Sequence, residues 1–220
     1  MIIAIDGPAG SGKSSTAKQV ARRLDITYLD TGAMYRVITL AALRKGIPAD
    51  DHPALAKLVA ETVISFTGVP PDMTVWMNGE DVSSEIRGTE VTANVSDYCA
   101  PAVVREALVE QQRRIGAGTS IVCEGRDIGT VVFPQADLKI FMIASVEERA
   151  ARRMLDFRKI GIEKSREELV AEINERDRKD STRAVSPLIQ AADAVLLDTT
   201  GMTLDGQVDW IVEKARAVMN

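Results

Sequence analysis

Residues 2–24 read IIAIDGPAGSGKSSTAKQVARRL. Inside this stretch Gly7-Pro8-Ala9-Gly10-Ser11-Gly12-Lys13-Ser14 fits G-x-x-x-x-G-K-[ST] at every fixed position. The apolar run Ile2–Ile5 before it predicts a short strand. Thr16–Leu24 after it has helical spacing, with Val20, Ala21 and Leu24 on one side. A strand, a glycine-rich loop and a helix in this order present backbone N–H groups and a helix N-terminus to an anion. In this pattern the lysine, Lys13, reaches the β- and γ-phosphates of a nucleoside triphosphate, and the Ser14 hydroxyl ligates Mg²⁺. A glycine-rich turn with an incidental lysine would leave the flanking strand and helix unexplained.

Outward from the loop, strand-like and helical stretches alternate. Further strands are predicted at Thr27–Asp30, Ser120–Glu124, Leu138–Ala144 and Ala194–Asp198, each apolar without strict polar alternation, as in strands covered on both faces. Helical spacing runs over Ala33–Lys45, Pro101–Ile115, Glu147–Ile160, Arg166–Lys179 and Leu204–Met219. The last of these turns Val208, Ile211, Val212, Ala215, Val218 and Met219 toward the core. The expected fold is α/β, a five-stranded parallel sheet flanked by helices with right-handed crossovers. Ligands of such sheets sit at the carboxyl ends of the strands, where Asp6, Asp30, Glu124 and Asp198 fall.

Two regions break the rhythm. Between Asp50 and Ser96 a helix-like piece (Pro53–Thr62) is followed by Val63–Phe66, Thr74–Met77 and Glu80–Val82, the last two joined by Asn78-Gly79, a strong hairpin signal. Arg152–Arg166 is dense in alternating charge around Gly161, as in a solvated helical hairpin that moves as a lid. The expected organisation is a single kinase-like domain, 1–220. Its core is 1–57, 98–151 and 167–220, with a small antiparallel insertion at about 58–97 and a helical lid at about 152–166.

Composition sets bounds on partners. The 220 residues suffice for one domain with small insertions, and the apolar (45%) and charged (27%) fractions are those of an ordinary globular chain. A formal charge of −5 argues against a long polyanion such as DNA, so no nucleic-acid partner is expected. Cys99 and Cys123 lie in no metal-type spacing and are expected to be buried thiols in a reducing compartment. With no signal-like segment and no 18-residue apolar run, the expectation is a cytoplasmic protein without a membrane partner. No large apolar stripe is left over, which suits a monomer. The lone histidine, His52, sits beside Pro53 in a loop and is assigned no chemistry.

Three clusters carry unusual chemistry for their positions. The first is Leu29-Asp30-Thr31-Gly32-Ala33-Met34-Tyr35-Arg36, in which Thr31 could also serve simply as a helix cap. The second, Glu124-Gly125-Arg126-Asp127-Ile128-Gly129-Thr130, follows an apolar strand, and its glycines allow close backbone approach. The third is Glu175–Arg183, where a persisting helix would place Arg176, Asp180 and Arg183 on one face. Each could be a self-paired surface stretch, in which exposed pairs contribute only about 0–1 kcal/mol. Three separate clusters that each offer arginine suit several phosphates brought together.

These clusters carry a resemblance. The stretches IAIDGPAGSGKSS, YLDTGAMYR, GEDVSSEIR, VREAL, EGRDIGTVVFP, KIFMIAS, ERAARR and ERDRKDSTRAVSPL occur in order from Ile3 to Leu188. They resemble the bacterial cytidylate kinases, a branch of the nucleoside-monophosphate kinases among P-loop phosphotransferases. GRDIGTVVFP and the RAV-P ending are specific to that branch, whereas the glycine loop is shared with many functions. Glu124 stands where the family pattern has Asp, and Thr31 where Ser is also usual. The resemblance implies transfer of the γ-phosphoryl group of ATP to CMP or dCMP, with Mg²⁺. It implies that the loop from Gly7 through Ser15 holds the donor, with Lys13 on its phosphates and Ser14 on Mg²⁺. Arg149 and Arg153, four apart in the lid stretch, resemble the pair that packs on adenine and contacts donor phosphates, unless they are surface charges beside Glu147 and Glu148. On the acceptor side it implies Thr31, with Arg36 and Arg126 on the phosphate. Ser96, Arg105 and Arg183 would contact the base, and Asp127, Arg176 and Asp180 the sugar and the arginines. Lys13, Arg126 and Arg153 are the expected catalytic cations.

The chemistry is consistent with a site lacking a base. A phosphomonoester has its second pKa near 6, so the attacking oxygen is already deprotonated at neutral pH, and catalysis reduces to positioning and charge stabilisation. An arginine aimed at N3 and O2 suits cytosine and meets uracil donor to donor. The mismatch costs about 1–3 kcal/mol, roughly 5- to 150-fold. The rival within the fold is another small kinase, such as a uridylate/cytidylate, adenylate or shikimate kinase. The rival of another class, a GTP-dependent switch, would carry Asn-Lys-x-Asp, which the chain lacks.

Overall fold

The computed structural model describes residues 1–70, 72–159 and 161–219. β1 (Ile2–Asp6) leads into α1 (Lys13–Leu24) and β2 (Thr27–Asp30) into α2 (Thr31–Arg44). After α3 (His52–Glu61) comes a small antiparallel sheet of β3 (Ile64–Val69), β4 (Asp72–Met77) and β5 (Glu80–Asp81). A 3₁₀ turn (Glu85–Arg87), α4 (Thr89–Tyr98) and α5 (Ala102–Gly116) bring the chain back to β6 (Ile121–Gly125), which ends in a π-helical turn (Ile128–Val132). β7 (Leu138–Ile143), α6 (Val146–Lys159), α7 (Arg166–Thr182), β8 (Val195–Asp198) and α8 (Leu204–Met219) complete it. Ile160, the end of one predicted helix, lies outside the described residues.

All pairings in the main sheet are parallel, in the order β2-β6-β1-β7-β8. Its two faces explain the unbroken apolar runs. In β1, Ala4 packs toward α2, α3 and α5, while Ile3 and Ile5 pack toward α1 and α8. β6 divides the same way, with Ile121 and Cys123 on one face and Val122 on the other. In α8 Val208, Ile211, Val212 and Ala215 are buried, but Val218 and Met219 are exposed, because the helix outruns the sheet. The charged α6–α7 hairpin is not wholly solvated. Ala150, Leu169 and Ile173 form a small core of their own, joined by Val146, Met154, Phe157 and Val170.

The β4–β5 turn at Asn78-Gly79 has positive φ at both residues (52° and 85°), the conformation that the dipeptide signals. Helix α4 was not foreseen: TEVTANVSDY is rich in β-branched residues of modest helix propensity. Val91, Val95 and Tyr98, spaced four and three apart, are buried in the same core as α2, and that tertiary burial holds the helix. No helix among the described residues is long and apolar enough to cross a membrane.

Candidate active site

The loop between β1 and α1 takes its shape from close approach. Gly7, Gly10 and Gly12 have φ of 145°, 78° and 94°. A Cβ on Gly7 would overlap the Met142 carbonyl of β7. Gly12 is the N-cap of α1 and supplies no side-chain cap, so the first N–H groups of the helix stay open to an anion. α2, α3 and α7 are capped instead by Asp30, Asp51 and Ser165. The cap of α2 is thus Asp30, whose carboxylate accepts the Ala33 N–H at 2.9 Å, and not Thr31. The Thr31 hydroxyl donates to the Glu124 carbonyl at 2.7 Å and ties the start of α2 to β6.

A cavity of about 710 Å³ opens at the carboxyl ends of the strands. The loop forms one wall through Ala9, Gly10, Gly12, Lys13, Ser14 and Ser15, whereas Gly7, Pro8 and Ser11 lie behind it. Lys13 Nζ donates to the Pro8 carbonyl at 2.7 Å and to Ser11 Oγ at 3.2 Å. Burial, then the neighbouring Arg126, push the Lys13 ammonium below its ordinary pKa. Across the cavity stand Arg36, Arg126, Arg153 and Arg176, together with Arg87 and Arg152, which sequence reading did not single out.

A recess of about 70 Å³ adjoins the cavity and shares Gly32, Arg36, Gly125, Arg126 and Arg176 with it. The recess is lined by every residue expected on the acceptor side: Thr31, Arg36, Ser96, Arg105, Arg126, Asp127, Arg176, Asp180 and Arg183. Residues from α2, α4, α5, the end of β6 and α7 therefore converge on one place. Arg105 is 2% exposed, pairs with Asp127 at 2.6 Å and lies 5.0 Å from the Tyr35 ring centroid. Arg126 pairs with Asp180 at 2.9 Å. Arg183, the C-cap of α7 rather than part of it, donates to the Ser186 carbonyl at 2.6 Å and approaches Asp180 at 3.7 Å. Arg36 Nη1 donates to the Ile86 carbonyl and the Thr92 hydroxyl at 3.0 and 2.8 Å, tying it to the turn and helix before α5.

Positive charge is concentrated between the cavity and the recess. Burial, then Arg87, lower Arg36 to about 10; burial, then Arg126, lower Arg176 to about 9. Burial lowers Arg126 too, but the charge and hydrogen bond of Asp180 more than offset it. An anion placed between these cations would relieve such crowding. The carboxylates differ among themselves. Asp6 is buried at the end of β1, accepts the Ile128 and Gly129 N–H groups at 2.8 and 2.7 Å, and is pushed up to about 6 by burial. It shapes the π-helical turn behind Arg126. Glu124 is also raised, by burial and then by Asp30, and accepts the Tyr28 hydroxyl at 2.6 Å. Asp198 does not reach the cavity; it accepts the N–H and hydroxyl of Thr200.

The two expected donor arginines part company. Arg153 faces the cavity, with its guanidinium 5.4 Å from the Phe157 ring centroid. Arg149 is neither in the cavity lining nor a surface charge: it is buried and donates to the Ala9 carbonyl at 3.1 Å. Arg152 takes a cavity-facing place instead, donating to Glu148 at 3.0 Å and to the Thr199 carbonyl at 2.8 Å. Its spacing beside Glu148 on a helix reads as a surface pair, which is why sequence gave no signal for it.

The family model described as cytidylate kinase matches residues 3–217. The chain belongs to the cytidylate kinase family. It is 50% identical over 217 residues to the cytidylate kinase of Lysinibacillus sphaericus, covering 99% of this chain and 97% of that protein. The match to the cytidylate kinase of Lactococcus lactis is 52% over 217 residues, 99% and 98% of the two chains. It is also 53% identical over 216 residues, 96% of this chain, to 40% of a bifunctional pantoate ligase/cytidylate kinase of Trichormus variabilis. A solved structure from Eubacterium ventriosum, 12% identical with a TM-score of 0.55, covers 99% of this chain and 98% of its own, and shares the fold. Family membership favours the expected main reading over the other small kinases and over a GTP switch.

Proposed function

We propose that the protein transfers the γ-phosphoryl group of ATP to CMP or dCMP, giving ADP and CDP or dCDP. The observation that carries this reading is the confluence of two spaces: a cavity walled by the phosphate loop, and a recess lined by Arg105, Asp127, Arg183 and Ser96, with Arg36, Arg126 and Arg176 between them. In it the open N-terminus of α1 and Lys13 hold the donor phosphates. Arg36 and Arg126 hold the acceptor phosphate, and Arg153 and Arg176 neutralise the charge of the transferring group. The acceptor oxygen is already anionic at neutral pH, so no side chain takes a proton from it. Arg105, fixed by Asp127 and Tyr35, presents N–H donors to the cytosine acceptors, with Ser96 and Arg183 beside it. Asp180 and Arg176 place the sugar and orient Arg126. The insertion 58–97 then brings Ser96 to the acceptor, and the lid 152–166 brings Arg152 and Arg153 over the donor.

Mg²⁺ fits this wall. Ser14, Glu124 and Asp30 line it with hard oxygen atoms, and a carboxylate held protonated-ward by burial at Glu124 gains most from a cation. Ser14 and Glu124 would hold the ion, which when bound neutralises phosphate charge. Two buried free thiols, Cys99 and Cys123, suit a cytoplasmic setting. ADP release in a coupled assay tests the proposal against CMP, dCMP, UMP, AMP, GMP and shikimate. CMP and dCMP should dominate, and preferred turnover of AMP or shikimate would overturn it.

A further inference from the structure

Arg149 bridges two parts of the molecule that hold different substrates in the reading above. Its side chain is 5% exposed. Nη1 donates to the Ala9 carbonyl of the donor loop at 3.1 Å, and Nη2 pairs with the Asp177 carboxylate of α7 at 2.7 Å. The loop is packed on the same side chain: a Cβ added at Gly10 would lie 3.2 Å from Arg149 Cβ. Asp177 adjoins Arg176, which lines both the cavity and the recess. One guanidinium therefore joins the backbone of the donor loop to the turn of α7 that carries the acceptor-side cations.

The pair is one bond short of its strongest form. Arg149 Nε and Asp177 Oδ1 are both buried and have no hydrogen-bond partner among the described residues. Nε and Nη2 form the edge of a guanidinium that a carboxylate grips with two parallel bonds. Only Nη2 is within ion-pair distance of Asp177 here, which leaves Nε and Oδ1 as a donor and an acceptor on facing groups that a closer approach of α7 would pair.

We propose that Arg149 and Asp177 are a positioning pair that couples acceptor binding on α7 to the shape of the donor loop. Filling the acceptor site draws α7 to where both Asp177 oxygens hold Arg149, and Arg149 then fixes the Ala9–Gly10 backbone for the donor phosphates. Arg149 acts through the loop and does not touch the donor. The inference rests on the reading of the site as one that holds donor and acceptor together.

Isothermal titration of CMP and of a non-hydrolysable ATP analogue, each alone and in the presence of the other, tests it. Wild-type turnover of CMP is measured first, so that failure of the functional reading is seen separately. In the wild type each ligand should tighten the other by about 5- to 150-fold, the usual span of such coupling. Asp177→Asn and Arg149→Lys should bring that factor to about 1 while leaving each ligand alone within about threefold of its wild-type affinity. Asp177→Glu, which keeps the two-oxygen grip, should restore part of it. Circular dichroism and melting curves confirm that each variant is folded; should Arg149→Lys not fold, the Asp177 variants decide alone. A coupling factor unchanged in Asp177→Asn, or absent in a wild type that turns over CMP, would overturn the inference. So would an Arg149→Lys variant that weakens the ATP analogue alone while Asp177→Asn has no effect, since Arg149 would then be a direct donor contact.

Discussion

Replacing Arg105 with methionine separates its ion pair from the base recognition proposed for it. Its guanidinium and the Asp127 carboxylate are 2% and 4% exposed at the side chain and 2.6 Å apart. Removing one partner of such a pair leaves a buried uncompensated charge, at about 3–5 kcal/mol. For a chain of this length each kcal/mol lowers the melting temperature by about 2–4 °C, so Arg105→Met should melt roughly 6–20 °C below the wild type. The double variant Arg105→Met/Asp127→Asn carries no stranded charge and should recover most of that loss. Function should respond differently. Without the N–H donors proposed to separate cytosine from uracil, the ratio of kcat/KM for CMP over UMP should fall about 5- to 150-fold, corresponding to 1–3 kcal/mol. The double variant should not recover it, and KM for ATP should hardly move, because Arg105 does not line the donor cavity. Steady-state kinetics with both acceptors, alongside scanning calorimetry, measure the two effects. An unchanged CMP/UMP ratio would remove Arg105 from base recognition. A double variant that melts as low as the single one would refute the account of the pair.

Three further outcomes follow from the same site. Lys13→Met removes the preorganised cation from the loop and should lower kcat about 10²–10³-fold while far-ultraviolet circular dichroism stays unchanged. Gly7→Ala should yield little folded protein, since its Cβ would overlap the backbone carbonyl of Met142 at a φ of 145°; normal expression and melting would contradict the packing described. Asp6 has its pKa raised from 3.8 to about 6, so between those values the folded state binds the proton more readily than the unfolded chain. Its contribution therefore stabilises the fold as pH falls from about 6 toward 4 and is lost as pH rises through 6, by about 3 kcal/mol at 1.36 kcal/mol per pH unit. Carbon-detected NMR titration of the Asp6 carboxyl checks this, and a midpoint near 4 would contradict it.

The elements that could be read from sequence were those whose cause is local. The glycine loop, the apolar strands and the long helices each carry their own signal, and their bounds shifted by only a few residues. What could not be read depends on groups far apart in the chain. The π-helical turn at Ile128–Val132 exists because Asp6, more than a hundred residues earlier, accepts two of its N–H groups. Helix α4 is sustained by packing against α2 rather than by its own propensity, although the spacing of Val91, Val95 and Tyr98 was a signal that periodicity could have found. The acceptor residues were legible through the resemblance, and they converge in the structure. The different surroundings of Arg149 and Arg153 were not: spacing puts both on one helix face, and only packing shows that Arg149 is covered by the glycine loop and α7.

In the proposed reaction donor and acceptor phosphates meet across one cavity, between Lys13 on one wall and Arg36 and Arg126 on the other. Binding of a single molecule in which adenosine and cytidine are joined 5′ to 5′ through five phosphates tests this most directly. It should bind about 10²–10⁴-fold more tightly than ATP or CMP alone, because one association fills both halves of the site. An affinity no greater than that of the tighter nucleotide alone would contradict it.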